Sequence, residues 1–429
     1  MKNFLILIFL LFSSLYGENL KFNFFDKGDK KGNTILIVGG IQGDEPGGFS
    51  AASLLARFYK VSNGNIWIVP NLNFNSIVSS SRGKYGDMNR KFLTIKKSDP
   101  DYEAVTRIKE LILKDEVDLI LNLHDGSGFY RDNYIDFLRN PNRWGQSCIF
   151  DQSNLNGVPF GNLEELATAI IEIVNKKIPK NKNSFALKNT KTNLGDKEME
   201  KTLTYFAIRN SKPAFGIEAS KSFTTHFRAY YHLLVVEEFM KMLNIEFEKS
   251  FELNPTKIKN ILYKDVDLTL NDSKIKLDLN NIKKNLYYMP FEKNSLSFES
   301  NNPLTAVVKR GSSYGVYIGN KRFTTLKPQY FENDDSLESL SIDIDGAKQE
   351  VKIGSVIDVN SSFKIDSIDG YRVNVIGFTN GSKSETGVFI KRKNFIKRYS
   401  IDKSGYSFRV EVYKGKKFSG MVLVRFKKG

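Results

Sequence analysis

The feature that most constrains the fold is a series of short apolar runs in the first half of the chain, each of which ends in a polar cluster. Their residues are apolar in succession rather than in alternation, as in strands that are buried on both faces of a parallel sheet. The runs are 34–38, 65–69, 117–123 and 214–217. Stretches with apolar residues at helical spacing follow them, at 48–58, 102–114, 163–175 and 226–243. The alternation predicts an α/β fold with a mixed, mostly parallel sheet flanked by helices.

Beyond residue 251 the pattern changes to short runs of alternating apolar residues, separated by Gly, Asn and Asp. Such runs are typical of antiparallel strands joined by tight turns. Because 429 residues exceed what one core accommodates, we predict several domains. These are an α/β domain at 18–250, a β-rich domain at 251–335 and an immunoglobulin-like β-sandwich at 336–429. The basic run 391–398 is predicted to form a solvated hairpin edge.

The first 17 residues have the composition of a secretory signal peptide. Lys2 precedes an apolar run at 4–12, and the small residues Ser13, Ser14 and Gly17 follow it. No later segment has the roughly 18 consecutive apolar residues that a membrane-spanning helix requires. We therefore predict an exported, periplasmic protein with no membrane span. The single cysteine, Cys148, leaves no intramolecular disulfide to stabilise it.

The net charge of +16 would suit a polyanionic partner. Export and the lack of a nucleic-acid-binding motif both speak against nucleic acid, so we expect no such partner. Anionic polymers of the cell envelope are one explanation of the charge, and a solvated, solubilising surface is the other. The composition leaves both open.

Side chains that could bind a metal or transfer a proton follow three of the apolar runs. The first run leads into a Gly-rich turn with Gln42 and Glu45, the third ends at His124, and the last ends at Glu218. Because the carboxyl ends of parallel strands meet at one edge of a sheet, these side chains should converge. Two oxygen ligands and one imidazole leave a fourth position open, which is the arrangement of a hydrolytic zinc site. Glu218 would then serve as general base and afterwards as general acid.

A loop between the second and third runs contains two arginines, Arg82 and Arg90. Arg90 ends the sequence Asp-Met-Asn-Arg at 87–90. A planar guanidinium binds a carboxylate through two parallel hydrogen bonds. The loop therefore predicts a substrate that carries carboxylates.

These motifs resemble those of the zinc metallocarboxypeptidases of the carboxypeptidase A and succinylglutamate desuccinylase type, over residues 20–250. That family has His-x-x-Glu after the first strand, Asp-x-Asn-Arg in a loop, a distant His ligand and a catalytic Glu on a late strand. The same order occurs here, except that Gln42 replaces the first histidine. The resemblance implies a zinc site of Gln42, Glu45 and His124, with Glu218 as the catalytic residue. An amide ligand in place of imidazole predicts weaker zinc binding.

The glutamine, the exported α/β domain and the β-rich tail are together similar to the cell-shape-determining peptidoglycan carboxypeptidases of helical bacteria. This resemblance implies a D,L-carboxypeptidase that trims tripeptide stems to dipeptides at the D-glutamyl–meso-diaminopimelate bond. It implies that Asn89 and Arg90 hold the terminal diaminopimelate carboxylate. Arg82 would hold a second carboxylate or polarise the scissile carbonyl. Two further substrate-binding candidates are Tyr205, for closing over the substrate, and Lys221, for the D-glutamate carboxylate.

Each of these residues also has a purely structural explanation. Gln42 and Glu45 could belong to a helix cap, and His124 could be a hydrogen-bonded core residue. The joint order of the motifs favours the metal site, but two other functions stay open. They are an exported small-molecule deacylase of the desuccinylase type and a catalytically inactive, envelope-binding scaffold. His226 and His232, six positions apart, do not share a helix face and are predicted to be structural.

Overall fold

The computed structural model describes residues 20–427 except 30 and 294, and it also describes the backbone of 13 and 14. At position 181 only the backbone is described. The predicted signal peptide, residues 1–17, lies outside the described residues apart from the backbone of 13 and 14. The chain divides into two compact units. Among the described residues, the first unit comprises 20–263 and 319–321, and the second comprises 13–14, 264–318 and 322–427.

A seven-stranded sheet forms the centre of the first unit. Its strands are β1 Phe25–Gly28, β2 Thr34–Gly39, β3 Asn65–Val69, β4 Leu119–Gly126, β5 Ser147–Phe150, β6 Ala186–Asn189 and β7 Ala214–Ser220. Their order across the sheet is β6-β5-β7-β4-β2-β3-β1. Neighbours are parallel except in the β5–β7 and β1–β3 pairs. Every residue of β2 and β4 is buried, as expected for strands covered on both faces. The mixed, mostly parallel sheet predicted from the sequence is confirmed.

Helices and two small ribbons complete the first unit. The helices are α1 Pro46–Phe58, α2 Phe74–Ser79, α3 Tyr102–Ile112, α4 Leu163–Lys176, α5 Leu203–Arg209, α6 Thr225–Met242 and α7 Pro255–Ile261. The ribbons pair Tyr59–Asn63 with Glu246–Lys249 and Phe129–Tyr130 with Arg139–Asn140. The unit extends past residue 250, where the sequence predicts a boundary, because α7 packs on α6 and places Ile258 in the core. Within the described part of the chain, no helix is both long and apolar enough to cross a membrane.

The start of α1 is pressed against strand β4. Pro46 begins the helix, where its missing N–H leaves no hydrogen bond unmade. Gly48 in the first turn approaches β4 so closely that a Cβ atom there would lie 2.4 Å from the carbonyl oxygen of Leu123. Only glycine permits this approach. It brings the turn before α1 to the carboxyl end of β4.

The second unit is all-β and contains four four-stranded sheets. The strands of each sheet are given in their order across it. The first sheet contains Ser13–Ser14, Ser297–Ser300, Asp267–Leu270 and Ile275–Asp278, and the second contains Asn285–Phe291, Lys321–Tyr330, Ser313–Ile318 and Thr305–Arg310. The third contains Ala347–Lys352, Ser339–Ile344, Ser362–Ile365 and Ile390–Lys391, and the fourth contains Val356–Val359, Lys417–Phe426, Ser407–Lys414 and Tyr371–Val375. The last two sheets enclose one apolar core and form a β-sandwich. The all-β character predicted beyond residue 251 is therefore present.

The prediction of a hairpin edge at 391–398 is wrong. Strand pairing ends at Lys391, and Arg392–Asn394 and Lys397–Tyr399 are 3₁₀ turns. Phe395 between the turns is buried, and its ring stacks on that of Phe408 with centroids 4.1 Å apart. Insertion of this ring into the sandwich core bends the chain inward, so the segment cannot continue as an edge strand.

Candidate metal and catalytic site

The reactive side chains predicted from the sequence do gather at one edge of the sheet. β4 and β7 are parallel neighbours, and His124 on β4 is directly opposite Glu218 on β7. β2 lies on the other side of β4, and the turn that follows it carries Gln42 and Glu45. Parallel pairing therefore places three strand ends side by side, as the sequence implied.

Three potential metal ligands converge there. Nδ1 of His124 lies 3.3 Å from Oε1 of Gln42 and 2.9 Å from Oε2 of Glu45. All three residues are buried. Three donor atoms this close together, with one carboxylate charge among them, suit a single divalent cation with a position left for another ligand. Among the described residues, no group of three or more His, Cys, Asp and Glu side chains is placed to hold a metal ion, and the set at this site includes the amide of Gln42.

A carboxylate behind Gln42 fixes the orientation of its amide. Nε2 of Gln42 donates to Oδ1 of Asp87 over 2.9 Å, which leaves Oε1 facing His124. Asp87 also accepts from the backbone N–H of Asn89 and from Nε of Arg82, at 3.0 and 2.9 Å. Burial alone would raise the pKa of Asp87, but the Gln42 hydrogen bond and nearby arginines hold this pKa below its usual value. Asp87 therefore stays ionised and acts as an outer carboxylate that orients the ligand.

A second buried carboxylate, Asp125, holds the other side of the site. It accepts from the backbone N–H of Gly47 at 2.7 Å, from Nη1 of Arg228 at 2.6 Å and from Nε2 of His232 at 3.2 Å. Its own backbone N–H donates to Oε2 of Glu45 at 3.1 Å. These bonds tie the start of α1, the end of β4 and helix α6 together. His232 thus bonds to the carboxylate of Asp125, which in turn contacts the ligand set through its backbone N–H.

Glu218 has an enclosed carboxylate oxygen without a partner. Its Oε2 is buried and accepts no hydrogen bond from the described residues. A Cβ atom at Gly126 would lie 2.8 Å from this oxygen and 2.5 Å from the backbone nitrogen of Gly145, so only glycine fits beside Glu218. Burial raises the pKa of Glu218 to about 8, a shift that His124 opposes and Glu45 reinforces. Burial alone would lower the pKa of His124, but the carboxylates of Glu45 and Glu218 hold this pKa above its ordinary value.

Two of the predicted substrate-binding residues contact the ligand set. Nη1 of Arg82 lies 3.8 Å from Oε1 of Glu45, and Nζ of Lys221 lies 3.4 Å from the same oxygen. Lys221 also pairs with Asp44 at 3.3 Å, and its backbone N–H donates to the carbonyl of Gly126. Both cations are partly exposed, so they border the site and remain accessible to an anion.

The other three predicted substrate-binding residues are placed differently. Oδ1 of Asn89 accepts from the backbone N–H of Leu203 at 3.0 Å, so this oxygen helps to position helix α5. Arg90 donates to the carbonyl of Asn89 and lies 3.6 Å from Glu198. Tyr205 lies in α5 and packs partly buried against the core. Among the described residues, no hydrogen bond or ion pair connects Tyr205 with the ligand set or Glu218.

Sequence reasoning missed a cationic group beside Glu218. Nζ of Lys188 lies 4.0 Å from the ring centre of Tyr130 and 4.4 Å from that of Trp144. Burial lowers the pKa of Lys188, while the charge of Glu218 opposes that change. The sequence contains no local signal for this group of Lys188, Tyr130 and Trp144. Its members come from separate segments that only the tertiary structure brings together.

Comparison with known proteins places the chain in a family. A model for the catalytic domain of carboxypeptidases that control helical cell shape matches residues 1–263, and a model for the C-terminal domain of metallo-carboxypeptidases matches residues 333–427. No curated protein sequence matches the chain. Three structures of the cell shape determinant Csd4 from Helicobacter pylori are 41% identical to it, with TM-scores of 0.90.

The three structures are the apo form, a tripeptide-bound form, and an mDAP-bound form described as a D,L-carboxypeptidase. They cover 94–95% of this chain, and the matches span 100% of those chains. The resemblance drawn from the motifs is thereby confirmed, and the chain is a peptide hydrolase. It belongs to the family of metallo-carboxypeptidases that control helical cell shape.

Proposed function

We propose that the protein is a zinc-dependent D,L-carboxypeptidase that removes meso-diaminopimelate from the tripeptide stems of peptidoglycan. The observation that carries this proposal is that Oε1 of Gln42 and Oε2 of Glu45 both lie within 3.3 Å of Nδ1 of His124, which is directly opposite Glu218 and its unpartnered Oε2. The Csd4 structures with bound tripeptide and mDAP support the choice of substrate. Trimming of stems in the wall would alter cell shape.

The donor set fits zinc. Gln42, Glu45 and His124 would hold the ion, and Asp87 would keep the Gln42 oxygen turned toward it. When bound, zinc acts as a Lewis acid that polarises the scissile carbonyl. An amide oxygen is a weaker zinc ligand than imidazole, so we expect lower zinc affinity than for a site with two histidines.

Glu218 would move the proton. A carboxyl group with a pKa near 8 can exchange protons close to neutral pH, which is the requirement for a general base that later acts as an acid. Positive charge at the ligand set would favour its ionised form. Glu218 would take a proton from the attacking water and return it to the amine of the departing diaminopimelate. The free Oε2 can accept this proton without breaking another hydrogen bond.

Cationic side chains around the site would bind the carboxylates of the stem. Arg82 and Lys221 border Glu45 and are partly exposed, so a substrate carboxylate can reach them. Arg90 lies farther along the loop, next to Asn89, whose Nδ2 remains for a substrate although its Oδ1 is engaged. Lys188 adds a further cation near Glu218. The distribution suits a substrate that carries several carboxylates, as the stem peptide does.

The decisive experiment presents tripeptide and tetrapeptide muropeptides to the purified protein, with and without a chelator, and identifies the products by mass. We expect diaminopimelate to be released from the tripeptide, and the chelator to abolish this release until zinc is restored. Hydrolysis of N-acylated amino acids with intact tripeptide would instead support the deacylase. No turnover of either substrate by the zinc-loaded protein would support the inactive scaffold.

We also propose export to the periplasm, on the strength of the apolar run at 4–12 and the small residues that follow it. The mature protein is expected in the periplasmic fraction, with its N-terminus at or near residue 18. N-terminal sequencing of the protein from that fraction tests this. A mature chain that keeps Met1 would contradict the proposal.

A further inference from the structure

A bulge in the second unit turns two adjacent tyrosines out to solvent. Strand Asn285–Phe291 pairs with strand Lys321–Tyr330. Leu286 of the first strand is opposite Leu326 of the second, and Met289 is opposite Pro328. Two residues, Tyr287 and Tyr288, therefore face one residue of the partner strand, Lys327. The extra residue breaks the alternation of the strand, and both rings are exposed, at 52% and 70%.

The bulge has an uncommon backbone and a buried support. Tyr288 has a φ of 55°, a left-handed conformation that is rare for a bulky side chain. Arg409, only 5% exposed, donates from Nη1 to the carbonyl of Tyr288 and from Nη2 to the carbonyl of Tyr287, both at 3.2 Å. Glu411 pairs with the same guanidinium at 3.3 Å. A buried, paired charge thus fixes both carbonyls, so the exposure of the two rings is built into the fold rather than incidental.

The exposed surface suits a ligand that combines apolar faces with negative charge. The centroids of the two rings are 6.5 Å apart, and Nζ of Lys327 lies 4.6 Å from the centre of the Tyr287 ring. Lys284 and Asn285, which precede the bulge, are polar and exposed. Two rings in such surroundings fall far short of the roughly 800 Å² per partner that a stable protein interface buries. Aromatic faces of this kind pack well on the C–H face of a sugar ring.

We propose that the tyrosine platform, formed by Tyr287, Tyr288 and Lys327, binds a glycan strand of peptidoglycan. The choice of this glycan rests on the proposed function, since the stem peptides hang from a saccharide polymer and carry its carboxylates. The rings would stack on successive sugars, and Lys327 would meet a carboxylate of a stem peptide attached to the strand. The net charge of +16 favours the approach to such a polyanion. The platform would hold the enzyme on polymeric substrate without taking part in bond cleavage.

The test compares wild-type protein with the double variant Tyr287→Ala/Tyr288→Gly. Glycine suits the positive φ at 288, so the variant is expected to fold with an unchanged melting temperature. A matched control is Tyr399→Ala, which removes another exposed tyrosine from the second unit. Binding is measured by co-sedimentation with glycan strands stripped of their peptides. Activity is measured separately on free tripeptide and on intact sacculi.

We expect the double variant to bind stripped glycan at least fivefold more weakly and to release less diaminopimelate from sacculi, with free tripeptide cleaved at the wild-type rate. Wild-type binding by the double variant, or an equal loss in Tyr399→Ala, would overturn the platform. Glycan binding that depends on the tyrosines in a protein inactive on free tripeptide would refute the proposed function and leave the platform standing. Cleavage of free tripeptide by a wild-type protein that does not bind glycan would refute the platform and support the proposed function.

Discussion

The substitution Asp87→Asn tests whether the carboxylate behind Gln42 makes this amide a metal ligand. The hydrogen bond from Nε2 of Gln42 to Oδ1 of Asp87, at 2.9 Å, decides which end of the amide faces His124. Asparagine has the same shape and can still accept that bond. It can also still accept from the backbone N–H of Asn89, since asparagine caps helices as well as aspartate does. The substitution therefore removes a charge and leaves the geometry in place.

The expected loss follows from that difference. A hydrogen bond to a charged group contributes about 1.5–3 kcal/mol and a neutral one about 0.5–1.5 kcal/mol. The midpoints of these ranges differ by about 1.25 kcal/mol, which corresponds to close to a tenfold rise in the dissociation constant of the metal. Arg82 also loses its partner, but its side chain is half-exposed, so that pair contributes little.

The assay titrates zinc into chelator-treated protein in competition with a chromogenic chelator. A matched control is Asp99→Asn, which removes an acid that pairs with Lys91 and lies outside the ligand set. We expect Asp87→Asn to bind zinc about tenfold more weakly and Asp99→Asn to bind it like the wild type. Equal zinc affinity in Asp87→Asn and the wild type would refute the argument that Asp87 orients Gln42.

Three further outcomes are expected. Glu218→Gln should still contain zinc in a metal analysis, and its kcat should fall at least about 100-fold because the general base is gone. Near-normal turnover by this variant would show that Glu218 is not the general base. Gln42→His should tighten zinc binding in the same competition assay, and an unchanged affinity would show that position 42 is not a ligand. Tyr59→Phe should lower the free energy of unfolding by about 1.5–3 kcal/mol in urea, because its buried hydroxyl donates to Glu237 at 2.6 Å. Tyr130→Phe, whose hydroxyl meets an exposed aspartate, is the control and should change stability less.

Much of the site could be predicted because its parts are local signals. Apolar runs identify buried strands, and the residue that follows each run marks the edge where parallel strands end. Gln42, Glu45, His124 and Glu218 were expected together on this ground, and the structure brings them together. The order of the motifs was also enough to recognise the family.

Other features were invisible along the chain because they depend on contacts between distant segments. The hydrogen bond from Gln42 to Asp87 joins residues 45 positions apart, and that between His232 and Asp125 joins residues 107 apart. Nothing in the sequence near Asn89 shows that its side-chain oxygen is bonded to Leu203. Equally, the run 391–398 has a composition typical of a solvated edge, and only the burial of a ring within it shows otherwise.

The sequence by itself determined the four central strands of the seven-stranded sheet, the four longest helices of the first unit, and the types and order of the side chains at the strand ends, because periodicity and covalent spacing are local properties. The tertiary structure alone decided which carboxylates orient the ligand set, how far burial raises the pKa of Glu218, and that Arg409 holds Tyr287 and Tyr288 outward. Those properties arise from register, packing and desolvation, which exist only once distant segments of the chain are in contact.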